Sequence, residues 1–248
     1  MTKDFILALD FDGVLWDSAG ECFSIAREAW EALEGPLPRI SEAAFRRGRW
    51  LVRTGGEFGL VLWLLQEDPE RDLEAFSTAG FEALAQKQGA FLRRFEGEFY
   101  ARRERFRNQD PQAWQALQSP HPATAAEWKA VSESFREVVV CTTKNEAAIR
   151  ALLESAGLKF PVLAREFSTD KRDQMAFLAA TRDIPVSQIL FVDDLLRNLE
   201  PVGEMGVRVA LAGWGYNTAT EQARARELGI PVLQAGRILE GLRELAQS

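Results

Sequence analysis

Residues 5–18 read FILALDFDGVLWDS, and this stretch decides how the rest of the chain is understood. Phe5 to Leu9 is a short apolar run of the length expected for a buried strand. It ends in two aspartates at i and i+2, Asp10 and Asp12, followed at once by Gly13. On an unbroken strand the two carboxylates would point the same way. If the strand stops near Asp10, Gly13 lets the backbone turn sharply, and both acids sit at the strand's C-terminal edge. Carboxylates that close repel each other unless a cation or a proton lies between them. That need suits a magnesium site with one carboxylate left to do chemistry. A buried strand closing in an ordinary Asp-Gly turn is the plainer alternative, so the rest of the chain must discriminate.

Outward from this stretch, two kinds of sequence follow. From Ser18 to about Phe135 there is helical periodicity and no convincing strand, with helices expected over 18–34, 41–53, 57–67, 71–107, 111–118 and 123–135. Breaks are expected at Gly35-Pro36-Leu37-Pro38, Gly55-Gly56, Asp68-Pro69 and Asp110-Pro111, and within 71–107 near Gly80, Gly89 or Gly97. The pattern then changes. Val138–Thr142 is a β-branched run leading into a helix over 145–156, and Phe160–Ala164 is a short strand before a helix over 171–182. Ile189–Val192 is a further strand that ends in Asp193-Asp194. A helix from about Leu196, a strand over Arg208–Leu211 and helices over 219–228 and 236–247 complete the chain. Strand–helix units of this length imply an α/β, doubly wound parallel sheet. The simplest division is a core of 1–17 and 136–248, with 18–135 as an all-helical cap inserted after the first strand.

Composition removes several classes of function. The 248 residues carry a net charge of −7, which argues against general nucleic-acid binding while leaving an anionic small molecule possible at a local site. No apolar run approaches the ~18 residues of a membrane span. Cys22 and Cys141 have no metal-ligand spacing, and the chain reads as a reduced, cytoplasmic protein. His121, the one histidine, lies in the Pro-rich stretch SPHPAT and reads as a loop residue. A multi-histidine metal centre is therefore excluded, and a serine–histidine triad would have to rest on that single residue. Chemistry falls to carboxylates, hydroxyls and lysines.

In an open parallel sheet, ligands bind outside the carboxyl ends of the strands. Four strand ends or adjoining loops carry suitable groups: Asp10 with Asp12, Thr142 with Thr143, Lys171, and Asp193-Asp194 with Asn198. Each has a plainer reading as a helix cap or a solvated side chain; their order along one sheet edge is what favours function. This set resembles the haloacid dehalogenase-like superfamily. DFDGVLWDS is similar to its first motif, the hydroxyl ending VVVCTT to its second, Lys171 to its third and ILFVDDLLRN to its fourth. The insertion at 18–135 matches the helical C1-type cap in position and character, though in no residue motif. Gly213-Trp214-Gly215-Tyr216 is similar to segments of phosphoglycolate-phosphatase-like relatives.

The resemblance implies a magnesium-dependent phosphatase acting on a small phosphorylated metabolite. Asp10 would be the nucleophile that forms an aspartyl-phosphate, and Asp12 the general acid and then base. Thr142 would bind phosphoryl oxygens, with Thr143 as the competing contact, and Lys171 would neutralise charge, with Lys144 as its nearer-lying competitor. Mg2+ would be held by Asp10, the backbone carbonyl of Asp12, and Asp194, with Asp193 and Asn198 supporting it. The fourth motif departs from the common Gly-Asp form: Asp193 replaces the glycine, and Asn198 stands near where a second Asp is usual. Trp16, where a smaller residue or Phe is usual, would lie near the site's mouth or pack at the hinge.

The inserted segment would act as a lid that excludes water and selects substrates. Its FRRGRW stretch at 45–50 and RTGG at 53–56 make Arg49 and Arg53 the candidate grips on a second anionic group. The run Arg93–Arg107 reads as an exposed, salt-bridged helix. A phosphomutase or another phosphoryl transferase shares the whole motif set and is the main alternative. Asp12 argues against dehalogenation, because dehalogenases lack the second acid. A phospho-receiver domain has no place for the helical insertion, and a non-catalytic binding descendant has no use for the complete polar set. Oligomeric state is not legible.

Overall fold

A computed structural model of the chain describes residues 2–37 and 39–247. Pro38, in the expected break after the first helix, lies outside them, as do residues 1 and 248 at the ends of the expected core. The chain divides into two compact units, Met1–Asp17 with Pro120–Ser248, and Ser18–Ser119.

The first unit is built on six parallel strands: β1 (Ile6–Leu9), β2 (Glu137–Cys141), β3 (Val162–Leu163), β4 (Ile189–Asp193), β5 (Arg208–Ala212) and β6 (Val232–Leu233). Their order across the sheet is β3-β2-β1-β4-β5-β6, the doubly wound arrangement in which the winding reverses between β1 and β4. Leu9 pairs with Val140 on one side and Val192 on the other, so three strands end level at that reversal. All four residues of β1 are buried. The side chains of Ile6 and Ala8 pack with Met175, Leu178, Leu199 and Val202 from the helices, while Leu7 and Leu9 are buried too. Burial on both faces explains why β1 reads as a continuous apolar run rather than an alternating one.

Flanking the sheet are α7 (Trp128–Ser134), α8 (Glu146–Ser155), α9 (Lys171–Arg182), α10 (Leu196–Gly203), α11 (Ala219–Glu227) and α12 (Ile238–Leu245). Asn145 caps α8 by accepting from the Ala148 amide, and Asp170 caps α9 through the Arg172 amide. The sixth strand, two residues long, is too short to leave a periodic signal in the sequence. The expected boundary at 135/136 also shifts. Residues 120–135 cluster with the α/β unit, because the Glu127 carboxylate accepts from the amides of Gly236 and Ile238 and Trp128 meets Trp214 edge-on. Long-range contacts of this kind have no local sequence signature.

The second unit is helical: α1 (Ala19–Glu34), α2 (Glu42–Arg47), α3 (Glu57–Glu67), α4 (Thr78–Lys87), α5 (Gly89–Gln109) and α6 (Pro111–Ala116). The helical stretch expected over 71–107 breaks at Gln88, beside Gly89, one of the three expected positions, and its first helix begins only where Ser77 caps it through the Gly80 amide. Asp72 accepts from the amides of Glu74 and Ala75, which turns the preceding residues away from helix. Phe91, Phe95 and Phe99 recur every four residues along α5 and form one buried stripe. Phe99 stacks on Phe58, and Phe58 on Phe45, extending the aromatic core across α3 and α2. Among the described residues, no helix is long and apolar enough to cross a membrane.

The basic run of α5 is not uniformly exposed. Arg102 and Arg105 do pair with Glu98 near the surface. Arg103 instead lies over the Phe99 ring and donates twice, at 2.7 Å, to Glu21, which is completely buried and also accepts from Trp114 Nε1 at 3.0 Å. Removing the guanidinium would leave the buried carboxylate without this counter-charge. Arg103→Ala is therefore expected to lower folding stability by about 3–5 kcal/mol, and Arg102→Ala by less than about 1 kcal/mol; chemical unfolding of the two variants side by side measures the difference.

Candidate active site

The strand β1 ends at Leu9, but the Asp10 amide still donates to the Val192 carbonyl at 2.9 Å, which holds Asp10 at the sheet edge. The chain then winds into one tight turn. The amides of Leu15 and Trp16 both donate to the Phe11 carbonyl, and the Gly13 amide donates to the Trp16 carbonyl at 2.7 Å. Gly13 is required there, with φ at +85°, and a Cβ on it would lie 2.1 Å from Asp194 Oδ2. Trp16 is buried by stacking on Phe11 at 5.3 Å.

This turn gives the two aspartates different partners. Asp10 Oδ1 accepts from Lys171 Nζ at 2.6 Å, and the same ammonium lies 3.7 Å from Asp193 Oδ2 and bonds to the Cys141 carbonyl. Asp12 Oδ1 accepts instead from Lys144 Nζ at 3.0 Å. The sequence sets the two lysines in competition for one role; in the fold each has its own carboxylate. Thr142 is buried at the end of β2, where its hydroxyl accepts from the Lys144 amide, whereas Thr143 is exposed. Gln174, buried on α9, donates to the carbonyls of Thr142, Leu163 and Ser168 and so ties that strand end to the loop before α9.

At the end of β4, Asp193 and Asp194 face their neighbours differently. Asp193 is held by the Leu195 amide at 2.9 Å and by Asn198 Nδ2 at 3.0 and 3.1 Å to its two oxygens. Asp194 Oδ2 accepts from the Tyr216 amide at 2.8 Å. Asp10, Asp193 and Asp194 each offer an oxygen within 4.8 Å of the others, a donor set able to hold a metal ion. Burial pushes the Asp10 carboxyl up to about 7; Lys171 works against this, and Asp193 and Asp12 add to it. Burial alone would lower the Lys171 ammonium, but the charges of Asp10 and Asp193 outweigh it and raise it. Burial also pushes the Cys141 thiol up to about 12.

The loop after β5 supplies contacts that the sequence analysis did not assign to the site. Trp214 Nε1 donates to the Val14 carbonyl at 3.1 Å, the Tyr216 hydroxyl to Asp17 Oδ1 at 2.8 Å, and Asn217 Nδ2 to the Asp194 carbonyl at 3.0 Å. A Cβ on Gly215 would lie 2.3 Å from the Asp194 Cβ. The signal was the unusual GWGY composition; its meaning required knowing that β5 lies beside β4. Arg49 and Arg53 belong to the helical unit. Arg49 donates to the Val52 carbonyl and lies over the Phe58 ring, and Arg53 pairs with Glu57 and Glu82.

No protein-family model and no curated protein matches this chain. Solved structures match it over nearly its full length. A haloacid dehalogenase-like family hydrolase from Streptococcus pneumoniae is 16% identical at a TM-score of 0.63, covering 98% of this chain and 99% of its own. A predicted phosphoglycolate phosphatase from Haemophilus somnus is 18% identical at a TM-score of 0.61, covering 97% and 99%. A HAD family hydrolase from Deinococcus radiodurans, with bound phosphate and sodium, is 15% identical at a TM-score of 0.54, covering 98% and 96%. The chain therefore has the haloacid dehalogenase-like fold.

The electrostatics of Asp10 can be read directly in metal-free protein. Its carboxyl is expected to titrate near 7 by carbon-detected NMR. Asp193→Asn removes a neighbouring negative charge and should lower that midpoint, whereas Lys171→Met removes the opposing cation and should raise it.

Proposed function

We propose that this protein is a magnesium-dependent phosphatase of the haloacid dehalogenase-like superfamily that hydrolyses a small phosphomonoester. The observation that carries the reading is the carboxylate cluster at the sheet edge. Asp10, Asp193 and Asp194 each offer an oxygen within 4.8 Å of the others, beside the Lys171 ammonium, a donor set that would take a divalent cation. An all-oxygen donor set suits Mg2+ rather than a softer ion. Asp10, the Asp12 backbone carbonyl and Asp194 are the residues that would hold it. Asp193, already occupied by Leu195 and Asn198, supports them. When bound, the ion offsets the repulsion between the nucleophile and an incoming phosphate.

Within this reading each side chain has a distinct task. Asp10 attacks phosphorus, the ester bond to the leaving oxygen breaks, and an aspartyl-phosphate forms. Asp12 gives its proton to the leaving oxygen and then takes one from the water that hydrolyses the acyl phosphate. Lys144, bonded to Asp12, holds that carboxyl in place for both transfers. Lys171 orients Asp10 and offsets developing charge on the phosphoryl oxygens, and Thr142 binds one of those oxygens. The burial of Thr142 beside Lys144 favours it over exposed Thr143 as that contact. Arg49 and Arg53, in the helical unit, are the proposed grips on a second anionic group of the substrate; Arg53 would have to trade its pairing with Glu57 and Glu82. A reduced cytoplasmic setting agrees with the two buried free cysteines.

Hydrolysis of an aryl phosphate, with Mg2+ and after chelation, tests the proposal. Chelation and Asp10→Asn are each expected to abolish turnover, while Asp12→Asn lowers kcat by about 10²–10⁴-fold. Turnover that survives both chelation and Asp10→Asn would exclude the mechanism. On the physiological ester, identified from a panel of sugar phosphates, phosphoglycolate and nucleotides, Arg49→Ala is expected to raise KM by about ten-fold with a smaller change in kcat, the loss of one charge-assisted hydrogen bond.

A further inference from the structure

Tyr216 makes two contacts that point in different directions. Its backbone amide donates to Asp194 Oδ2 at 2.8 Å, and its phenol donates to Asp17 Oδ1 at 2.8 Å. Asp17 is the last residue of the α/β unit before the chain enters the helical insertion. The side chain is thus a short strut from the residue at the unit boundary to the backbone group that aims a site carboxylate.

Its surroundings leave the strut little freedom. The Tyr216 ring packs so closely on Gly13 that a Cβ there would lie 2.8 Å from Tyr216 Cδ2. On the other side, a Cβ on Gly215 would lie 2.7 Å from the Gly13 carbonyl. Trp214 Nε1 fastens the same loop to Val14, and Asn217 Nδ2 fastens it to the carbonyls of Asp194 and Ala212. A tyrosine side chain has only two rotatable bonds, and with its ring packed against Gly13 a shift of the hydroxyl passes to the backbone instead of being taken up by rotation. Interiors packed this closely transmit such shifts rather than absorb them.

We infer that Tyr216 is a positioning residue, whose bond to Asp17 holds the 216 amide against Asp194 and couples the geometry of that carboxylate to the chain segment leading into the helical insertion. The consequence for metal binding rests on the function proposed above; the coupling itself does not. Two full-length variants test it, Tyr216→Phe, which keeps the ring and the amide but removes the hydroxyl, and Asp17→Ala, which removes the acceptor.

The first readout is hydrogen exchange of the amide at position 216 in metal-free protein. Each variant is expected to lose protection at that amide by on the order of ten-fold, and the double variant no more than either single one, as for two halves of one interaction. The second is calorimetric titration with Mg2+ alone, where both variants are expected to bind about ten-fold more weakly, the lower end of the range for groups behind a metal ligand. Unchanged protection in both single variants, or additive losses in the double, would overturn the coupling. A wild-type protein that takes up no Mg2+ would instead overturn the proposed function, while the exchange measurement still decides the role of Tyr216.

Discussion

Three carboxylates, Asp193 and Asp194 buried and Asp10 partly so, with oxygens within 4.8 Å of one another, are the constraint on which the α/β unit depends. Asp10 comes from the end of β1, and Asp193 and Asp194 from the end of β4, the two strands between which the sheet reverses its winding. Like charges placed so closely oppose folding unless something offsets them. Lys171 does so in part, reaching Asp10 and Asp193 from the first residue of α9. Hydrogen bonds contribute at β4, where Asn198 and the Leu195 amide donate to Asp193 and the Tyr216 amide donates to Asp194. Under the proposed function a divalent cation would complete that balance.

Two glycines make that cluster sterically possible. Gly13 and Gly215 approach Asp194 from opposite loops, at distances where any side chain would collide with it. The turn after β1 also separates the acids of the Asp-x-Asp pair, sending Asp10 to Lys171 and Asp12 to Lys144. Two carboxylates two residues apart thereby acquire different electrostatic surroundings. In the proposed mechanism that difference would separate the nucleophile from the acid–base.

Much of the fold was legible because burial on both faces leaves a mark. The runs at 6–9, 138–141 and 189–192 are continuous and apolar, and each ends in a polar group where the sheet ends. Asp10, Asp12, Thr142 and Asp194 could be picked out because they lie at or just past such ends, and Lys171 because it opens a helix of the same sheet unit. Other parts left no mark. The two-residue β6, the join of residues 120–135 to the α/β unit and the burial of Arg103 against Glu21 all depend on contacts between distant segments. Arg103 sits in a run of alternating charges that is otherwise exposed, and only the rotation of α5 about the Phe91–Phe95–Phe99 stripe turns it inward.

The sequence by itself determined the class of sheet, the position of the helical insertion and the types of group available for chemistry, because hydrophobic periodicity and residue type are local properties of the chain. Tertiary structure alone decided how those groups pair. Lys144 and Lys171 are equivalent as letters, and Asp193 and Asp194 are neighbours with the same side chain. Which lysine meets which acid depends on where β2 and α9 bring them beside β1. Which aspartate is boxed in by Asn198 and which is aimed by Tyr216 depends on α10 following β4 and β5 lying next to it. Coulomb energies vary with distances of a few ångströms, and those distances are set by strand order and helix packing.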